Sequence, residues 1–452
     1  MDQHSLVTIP EDERINSSFS TFINWLSASS SVSIVIIGAI IIRQYENINF
    51  FTVALLSSLS FLIIGIISYS GFLTGLPTMG ISLRIFGVNF NRVISLINWL
   101  SQVGWETISL LMITYDIDAL VKWMGFNPYI PLSLTFICAI ILAFLVPMLG
   151  YEILLKVQSV TLVVMLLYAG YMILSNTRSL FHAIMVPVNL HDVVSAFSLA
   201  IVGGVFSWTM FCADYSRFVK RSSSRFSVIM FPSIGGFIGN FTLLTLSFIL
   251  CKMGVITING SGLIYHDHII SGYLFVLLLI FSILSLLIAN YLTAYSSAFS
   301  VASFMQRDYN RSLLVGIDSF IAITCAYLIL YIFNDFESSF VTFLSYAVIA
   351  AAPWTGVAVW SVTRSSGLLN IGKFSMLSYR LYIVIFILSI ILEITLLSLS
   401  NIFPLKIMPA LIPVIGFSFP IFLCEIYSNA HRKHYRHKFM RWALNIDNDL
   451  RS

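Results

Sequence analysis

The chain has 452 residues, of which 58% are hydrophobic and only 10% are charged. A soluble domain averages about 25% charged residues, so this composition excludes a soluble globular protein and indicates an integral membrane protein. The formal net charge at pH 7 is +4, and we expect neither a nucleic-acid partner nor a cofactor.

Apolar stretches that are long enough to cross a bilayer as helices recur along the whole chain. They predict about twelve membrane-spanning helices, joined mostly by short loops, with polar tails at both ends. The predicted spans are residues 18–43, 50–70, 92–115, 129–149, 156–175, 193–213, 227–252, 272–300, 312–333, 338–362, 380–399 and 406–427.

Positive charge is distributed unevenly over the loops. Most Lys and Arg residues follow even-numbered spans, and the C-terminal tail 428–452 is also basic. By the positive-inside rule, this predicts a multi-pass protein of the plasma membrane with both termini in the cytoplasm. The basic tail is expected to lie near anionic lipid headgroups.

The first and sixth spans contain residues that interrupt a simple helix. Ser29 and Ser31 belong to a cluster of small hydroxyl residues at 26–33, and Gly203 and Gly204 are adjacent in the sixth span. Glycine costs about 1 kcal/mol in a helix interior, and serine can bend a helix by bonding its backbone. Matched breaks five spans apart are typical of transporters with inverted repeats, whose site lies between the breaks. Ser29 and Ser31 are therefore candidate substrate contacts, although close packing of small residues is an alternative explanation.

The third span carries a polar face near the predicted membrane midplane. Gln102, Trp105 and Glu106 share one side of a helix, because they are three and four residues apart. Polar side chains at this depth usually face a protein interior or a water-filled cavity. We interpret this face as the wall of a substrate site, preceded by a predicted loop at 71–87.

Four short motifs, supported by weaker colinear similarity over residues 20–362, give the chain a family resemblance. They are Gly75-Leu76-Pro77 with Arg84-Ile85-Phe86-Gly87, Gln102-Val103-Gly104-Trp105, Ala213-Asp214-Tyr215-Ser216-Arg217-Phe218, and Phe343-Leu344 with Pro353 and Gly356. On these motifs the chain resembles the nucleobase:cation symporter-1 family, which includes cytosine, purine, allantoin and hydantoin permeases.

This resemblance implies an all-α membrane fold of the leucine-transporter type, with two inverted five-helix repeats and two further C-terminal helices. It also implies alternating access around a midplane site, and we expect a monomer in the lipid bilayer. The expected parts are an N-terminal tail (1–17), a transporter core (18–362, with repeats at 18–175 and 193–362), two additional helices (363–427) and the basic tail (428–452).

In such family members Gln102 would hydrogen-bond the edge of a planar heterocycle while Trp105 stacks on its face. The side-chain chemistry agrees, because a flat ring with donors and acceptors needs an aromatic platform and an amide that both donates and accepts. Phe206 would form the opposing wall with Ser207 as a polar contact, and Trp208 is the other candidate for that wall. Ordinary helix packing is the alternative role for Trp105.

The coupling ion is less clearly indicated by the resemblance. Sodium-coupled members place a pair of hydroxyl residues in the eighth helix, where this chain has Ile288 and Ala289. In a shifted register, Asn290 with Thr293, or Ser296 with Ser297, would replace that pair, and Asn290 is also a candidate substrate contact.

Glu106 stands where cytosine permeases carry an apolar residue. A midplane carboxyl group can exchange protons as a cavity opens to each side. It could instead bind an exocyclic amine or a cationic substrate, or be a buried structural residue. We favour proton coupling through Glu106, and therefore a proton over sodium.

The predicted cytoplasmic ends of the helices carry a second group of residues. We assign Gly75, Pro77, Arg84, Asp214 and Arg217 structural or gating roles there, because charges at helix ends usually snorkel or pair.

Together these features predict a secondary active transporter that imports a nucleobase or related small heterocycle by cation symport. An amino-acid or amine permease on the same fold is the alternative. A membrane sensor or an intramembrane enzyme is a more distant one, since we find no catalytic cluster. We also predict no metal site, because His266, Asp267 and His268 in an external loop lack a third ligand nearby.

Overall fold

The computed structural model describes residue 6 and residues 8–45, 48–126, 129–149, 151–259, 262–307, 311–333, 335–365, 378–402 and 408–430. Most of the basic tail predicted at 428–452 and parts of the N-terminal tail lie outside the described residues. Within them the chain is almost entirely helical, apart from one short hairpin.

The first five predicted spans each coincide with helices of the structure. A 3₁₀ turn at Glu11–Glu13 precedes them. The helices are α1 (Ser18–Ala28), α2 (Ser33–Gln44), α3 (Phe50–Leu59), α4 (Leu62–Thr74), α5 (Thr78–Phe86), α6 (Val88–Trp123), α7 (Leu132–Leu149), α8 (Tyr151–Ser175) and α9 (Thr177–Met185).

The remaining seven predicted spans also coincide with helices. These are α10 (Leu190–Ile201), a π-helical segment (Val202–Phe206), α11 (Ser207–Thr209), α12 (Ala213–Ser216), α13 (Arg225–Met253), α14 (Gly272–Met305), α15 (Arg311–Tyr327), a second π-helical segment (Leu328–Phe333), α16 (Phe336–Ser365), α17 (Tyr379–Ile402) and α18 (Met408–Ala430). Strands β1 (Ile256–Asn259) and β2 (Gly262–Tyr265) lie between α13 and α14.

By length and hydropathy, eight described helices can cross a membrane, or ten if each of two bent pairs is one span. About twelve spans were predicted. One predicted span that is not counted here is α6, because its buried polar residues lower its mean hydropathy. The spans also differ in burial: 61% of the most apolar part of α13 and of α16 is buried, against 28% in α17 and in α18. The last two helices therefore lie on the outside of the bundle.

The loop predicted at 71–87 is mostly helical, so that prediction is wrong. α4 continues to Thr74 and α5 begins at Thr78, which leaves only Gly75–Pro77 between them. Gly75 has a φ of 68°, the left-handed conformation that ends many helices. The glycine and proline thus form a tight connection between two helices, and the apolar residues that follow Pro77 form a buried helix.

The predicted break in the first span is confirmed. α1 and α2 meet at an angle of 48° across residues 29–32. Ser29 Oγ donates to the Trp25 carbonyl at 2.6 Å, and Ser30 Oγ donates to the Leu26 carbonyl. These hydroxyl groups satisfy carbonyls at the end of α1, which is how serine bends a helix.

The sixth span is irregular at the predicted place, although the helix continues through it from Leu190 to Thr209. Residues 202–206 form a π-helical segment, an irregularity that is often found at functional sites. Gly203 lies in this segment, and a Cβ atom there would be only 2.1 Å from the Cδ1 atom of Ile37 on α2. The glycine therefore lets the first and sixth spans pack directly against each other.

A β-hairpin that was not predicted connects several helices at one end of the bundle. β1 and β2 are antiparallel, and Tyr265 at the end of β2 donates a hydrogen bond to Asp116 on α6. Ser282 on α14 donates to the other oxygen of the same carboxylate. On the opposite side Arg43 of α2 donates to the Ile258 carbonyl at 3.3 Å. Burial, with Asp116 beside it, raises the pKa of the Tyr265 hydroxyl well above its usual value, so this group remains a donor at neutral pH.

Candidate functional site

A small recess lies where the first and sixth spans meet α6 and α14. We call it the break-side recess, because Ser33 directly follows the break in the first span and Gly203 belongs to the irregular part of the sixth. Its walls combine aromatic rings with hydroxyl groups. They consist of Ser33, Trp105, Ser109, Gly203, Ser207, Trp208, Phe211, Ala289 and Thr293.

A second small recess lies between α6, the sixth span and α16. We call it the α16-side recess. One wall is polar, with Asn98 and Ser101 of α6, and the α16 wall is apolar. The remaining lining residues are Trp105, Val202, Phe206, Ser207, Met210, Leu344, Ala347, Val348 and Ala351.

Trp105 and Ser207 line both recesses, so the structure brings these two predicted residues together at the centre. Phe206 faces only the α16-side recess, whereas Trp208 and Thr293 face only the break-side recess. The two aromatic candidates for the wall opposite Trp105 therefore belong to different recesses.

Contacts from α16 determine the position of the Trp105 ring. It packs edge to face against Phe343 at 5.4 Å and against Phe340 at 6.1 Å between ring centroids. The neighbouring Gly104 permits this approach, since a Cβ atom there would lie 2.2 Å from the Phe343 ring. The indole N–H of Trp105 is buried and has no hydrogen-bond partner among the described residues. An oriented ring with a free donor can both stack on a ligand and bond to it.

Gln102 and Glu106 lie behind the recess walls. Both side chains are fully buried, and neither lines a recess. Gln102 Nε2 donates to Ser300 Oγ on α14 at 3.1 Å. The carbonyl oxygen of Gln102 and both carboxyl oxygens of Glu106 have no hydrogen-bond partner among the described residues. These three oxygens, which lack hydrogen-bond donors, belong to two residues that are one turn apart on the same face of α6.

The remaining predicted contacts are already engaged in structural hydrogen bonds. Ser29 bonds the Trp25 carbonyl, Ser31 accepts from Ser33 at 3.0 Å, and Asn290 Nδ2 donates to the Ala143 carbonyl on α7 at 2.9 Å. Thr293 Oγ1 bonds the carbonyl one turn earlier in α14. Of these four residues, Thr293 lines a recess.

Most of the predicted structural or gating residues cluster around the start of α5. Asp214 accepts a hydrogen bond from the Thr78 backbone N–H at 2.7 Å, directly after Gly75–Pro77. The Arg217 guanidinium lies over the rings of Phe218 and Phe299, at 5.0 and 4.6 Å from their centroids. Arg84, which was grouped with them, is instead exposed at the end of α5.

Sequence reasoning missed one buried carboxylate, Asp318 on α15. Its side chain is 1% exposed. One oxygen accepts from Trp99 Nε1 at 2.5 Å and the other accepts from Ser297 Oγ. The sequence did contain a signal, because Asp318 is a single acidic residue inside an otherwise apolar predicted span. An acidic residue in a membrane span is by default a candidate functional residue.

Comparisons with solved structures show the fold. The chain is similar to Mhp1, described as a nucleobase-cation-symport-1 family transporter in a closed conformation with bromovinylhydantoin bound (15% identity, TM-score 0.66, 93% of each chain covered). It is also similar to a manganese transporter of Eremococcus coleocola (14% identity, TM-score 0.59, 95% of this chain and 98% of that chain). A Na⁺-coupled sialic acid symporter matches at 11% identity with a TM-score of 0.56, covering 91% of this chain and 89% of that one. The predicted all-α transporter fold is thereby confirmed.

Sequence comparison identifies the family. No curated protein matches the chain significantly. However, the profile of the family described as "Permease for cytosine/purines, uracil, thiamine, allantoin" matches residues 8–370, which is most of the chain. The protein is therefore a multi-pass membrane transporter and belongs to the nucleobase:cation symporter-1 family.

Proposed function

We propose that this transporter imports a nucleobase or a related small planar heterocycle together with protons, and that the break-side recess binds the heterocycle. The observation that carries the proposal is the composition of this recess. Two indole rings, Trp105 and Trp208, line it together with the hydroxyl groups of Ser33, Ser109, Ser207 and Thr293.

This composition suits a flat ring with a polar edge. Indole faces provide stacking surfaces, and each hydroxyl group both donates and accepts hydrogen bonds. As the structure stands, the free space in this recess holds little more than one water molecule, so its walls must move apart to admit a ring. An aliphatic amino acid, from the alternative substrate class, has no flat ring to stack on two indole walls, whereas a cationic amine would bind their faces through its charge.

The environment of Glu106 supports a proton as the coupling ion. An ionised carboxylate that is buried without donors is strongly unfavourable, and binding a proton removes that penalty. At the positions of the sodium-site hydroxyl pair the chain has Ile288 and Ala289, both buried. Direct recognition of the substrate by Glu106 is the competing role, and the absence of Glu106 from the walls of both recesses favours coupling.

We further propose that the protein acts as a monomer in the plasma membrane with both termini in the cytoplasm. The distribution of Lys and Arg over the loops supports the orientation. Import then moves the substrate toward the end of the bundle that contains Asp214 and Arg217.

The test is uptake by the purified protein in proteoliposomes. Labelled cytosine, uracil, adenine, hypoxanthine, allantoin and thiamine are offered separately, each with an imposed proton gradient and, in a second series, a sodium gradient. We expect saturable uptake of at least one compound with the proton gradient.

Trp105→Ala should reduce that uptake by about tenfold or more, because the stacking surface is lost. Trp123→Ala is the matched control, since Trp123 is 41% exposed at the end of α6. Failure of all six compounds, with uptake of an amino acid or amine instead, would refute the heterocycle assignment and leave the fold unaffected.

A further inference from the structure

We propose that Glu106 and Asp318 form a proton-carrying pair where α6, α14 and α15 meet, and that Asp318 is a second carrier in proton coupling. The inference rests on the proton symport proposed above. It adds Asp318 to that proposal, a residue of the ninth predicted span that belongs to none of the four family motifs.

The hydrogen bonds between α6 and α14 show that the two helices run antiparallel. Asn91 bonds Ser303 at 2.8 Å, and further along α6 Gln102 bonds Ser300 at 3.1 Å. Residue numbers therefore rise along α6 as they fall along α14. From the Gln102–Ser300 contact, one turn in the same direction leads to Glu106 on α6 and to Ser297 on α14. These two side chains therefore lie at about the same level of the bundle.

Ser297 connects this level to Asp318. Its hydroxyl group donates to one carboxyl oxygen of Asp318, and Trp99 of α6 donates to the other at 2.5 Å. α15 also contacts α6 beside Glu106, since Thr107 Oγ1 donates to the Ala322 carbonyl at 3.4 Å. Thr107 directly follows Glu106 on α6, and Ala322 is one turn after Asp318 on α15, so the two carboxyl groups lie beside the same helix–helix contact.

The two carboxyl groups differ in their partners. Asp318 accepts two hydrogen bonds, which stabilise its ionised form. Glu106 accepts none among the described residues, so its neutral form is favoured. Two ionised carboxylates in one buried junction would repel each other, and carboxyl groups that interact in this way exchange their protons as a unit. We therefore expect the pair to carry one proton between them.

The proposed transfer is a simple proton movement. The O–H bond of the Glu106 carboxyl group breaks as an O–H bond forms on Asp318, which leaves Glu106 ionised and Asp318 neutral without any change in oxidation state. Because neither Glu106 oxygen has a partner among the described residues in this conformation, the two carboxyl groups must first approach each other, directly or through the Ser297 hydroxyl group. Glu106 lies next to Trp105 and within a turn of Ser109, two residues of the break-side recess. Glu106 can therefore respond to the substrate, and Asp318 takes up the proton that Glu106 releases.

Other titratable groups on the neighbouring elements do not replace this pair. Along the described parts of α6, α14 and α15, the other carboxyl groups are Asp116 and Asp118, which lie about three turns beyond Glu106 on α6. On the elements that pack around α6, the other titratable side chains that the structure describes are as follows: Arg84 on α5, Cys138 on α7, Tyr273, Tyr291 and Tyr295 on α14, Cys325 and Tyr327 on α15, Tyr331 in the following π-helical segment, Glu337, Tyr346 and Arg364 on α16, and Tyr265 on β2.

The test uses the full-length protein in proteoliposomes that contain a pH-sensitive dye, with the base identified in the uptake panel. Asp318→Asn and Glu106→Gln each remove one ionisable group and preserve its size. Glu393→Gln is the matched control, because Glu393 is also fully buried without a partner among the described residues but lies on α17.

We expect base-driven proton entry and accumulation against a gradient to fall at least about tenfold in both variants. Exchange of labelled for unlabelled base at equal pH should change little, and Glu393→Gln should retain all three activities. The double variant should lose no more than either single variant, because the two groups act as a unit.

Three results would overturn the pair. The first is wild-type proton entry in Asp318→Asn. The second is loss of base exchange in a monodisperse Asp318→Asn protein, which would assign the residue to packing or substrate binding. The third is accumulation of base that a sodium gradient drives in the wild type and that is lost in Asp318→Asn. The coupling ion at the junction would then be sodium.

If Asp318→Asn does not fold, two milder variants keep the carboxyl group. Trp99→Phe and Ser297→Ala each remove one donor from the ionised form of Asp318. The pH of half-maximal uptake should then move to a higher value, with exchange unaffected. Unchanged pH profiles in both variants would contradict the proposal.

Infrared difference spectra between acid and neutral pH separate this inference from the substrate assignment, since they require no substrate. A protonated-carboxyl band that disappears in Glu106→Gln and Asp318→Asn but persists in Glu393→Gln supports the pair, even if none of the six compounds is carried. A band that Asp318→Asn leaves unchanged overturns the pair whether or not a base is transported.

Discussion

At the scale of single residues, the two aromatic candidates opposite Trp105 can be told apart by experiment. Trp208 lines the break-side recess and Phe206 lines the α16-side recess. If the heterocycle binds in the break-side recess, Trp208→Ala should raise KM by about tenfold because a stacking wall is lost. Phe206→Ala should have a much smaller effect. Radiolabelled uptake at varied substrate concentration measures both values, and the reverse order would place the substrate against α16.

Helical periodicity predicted which residues share a face but not which neighbour that face contacts. Gln102, Trp105 and Glu106 were predicted to form one wall of the substrate site, whereas Trp105 is the one of the three that lines a recess. Trp105 turns into the recesses, whereas Gln102 bonds Ser300 on α14 and Glu106 lies behind the wall. The orientation depends on the packing of α14 and α15, which are distant in sequence. Asp318 was missed for the same reason, since its partners come from two other helices.

At the scale of elements, apolar length predicted the helices well, and small residues predicted the break in the first span and the irregularity in the sixth. The β-hairpin was missed, because its two short strands stand between long apolar spans and carry little signal of their own. The connection between α4 and α5 was read as a loop, because its glycine and proline are equally typical of loops and of tight helix junctions.

One glycine on α13 is expected to be essential for the first break. A Cβ atom at Gly239 would lie 2.1 Å from Ser29 Oγ and 2.8 Å from the Leu26 carbonyl oxygen, where α1 ends. Gly239→Ala should therefore displace backbone, at a cost of about 1–3 kcal/mol, and lower both the thermal unfolding midpoint and uptake.

The matched control for this variant is Gly170→Ala on α8. No atom lies within 4 Å of the position of a Cβ atom at Gly170, and alanine is favoured over glycine inside a helix. Scanning fluorimetry of the detergent-purified proteins should show an unchanged or higher midpoint for this variant. Equal thermal unfolding midpoints for the two variants would show that the contact at the first break contributes little to the stability of the protein.

At the scale of the whole molecule, proton symport predicts a pH dependence with a definite sign. External acid increases the driving force and the protonated fraction of the pair, so uptake should rise as external pH falls at constant internal pH. Initial rates of base uptake over a series of external pH values measure this. A flat profile in the wild type, with stimulation by external sodium, would contradict proton coupling.

The hairpin is expected to depend on Tyr265 for its attachment. Tyr265→Phe removes a hydrogen bond to Asp116 while keeping the ring, so the hairpin amides should exchange with deuterium faster. Tyr273→Phe is the control, because Tyr273 is 88% exposed at the start of α14. Unchanged exchange in Tyr265→Phe would show that the strand pairing alone holds the hairpin in place.

The attachment of this hairpin to α2, α6 and α14 also has a kinetic consequence. In the proposed orientation it lies on the extracellular side, and any movement of α2 away from α6 must first break the Arg43 or the Tyr265 contact. Entry from outside would then proceed through a first-order release step. At high substrate concentration the inward rate would reach a ceiling that depends on temperature and not on which base is carried.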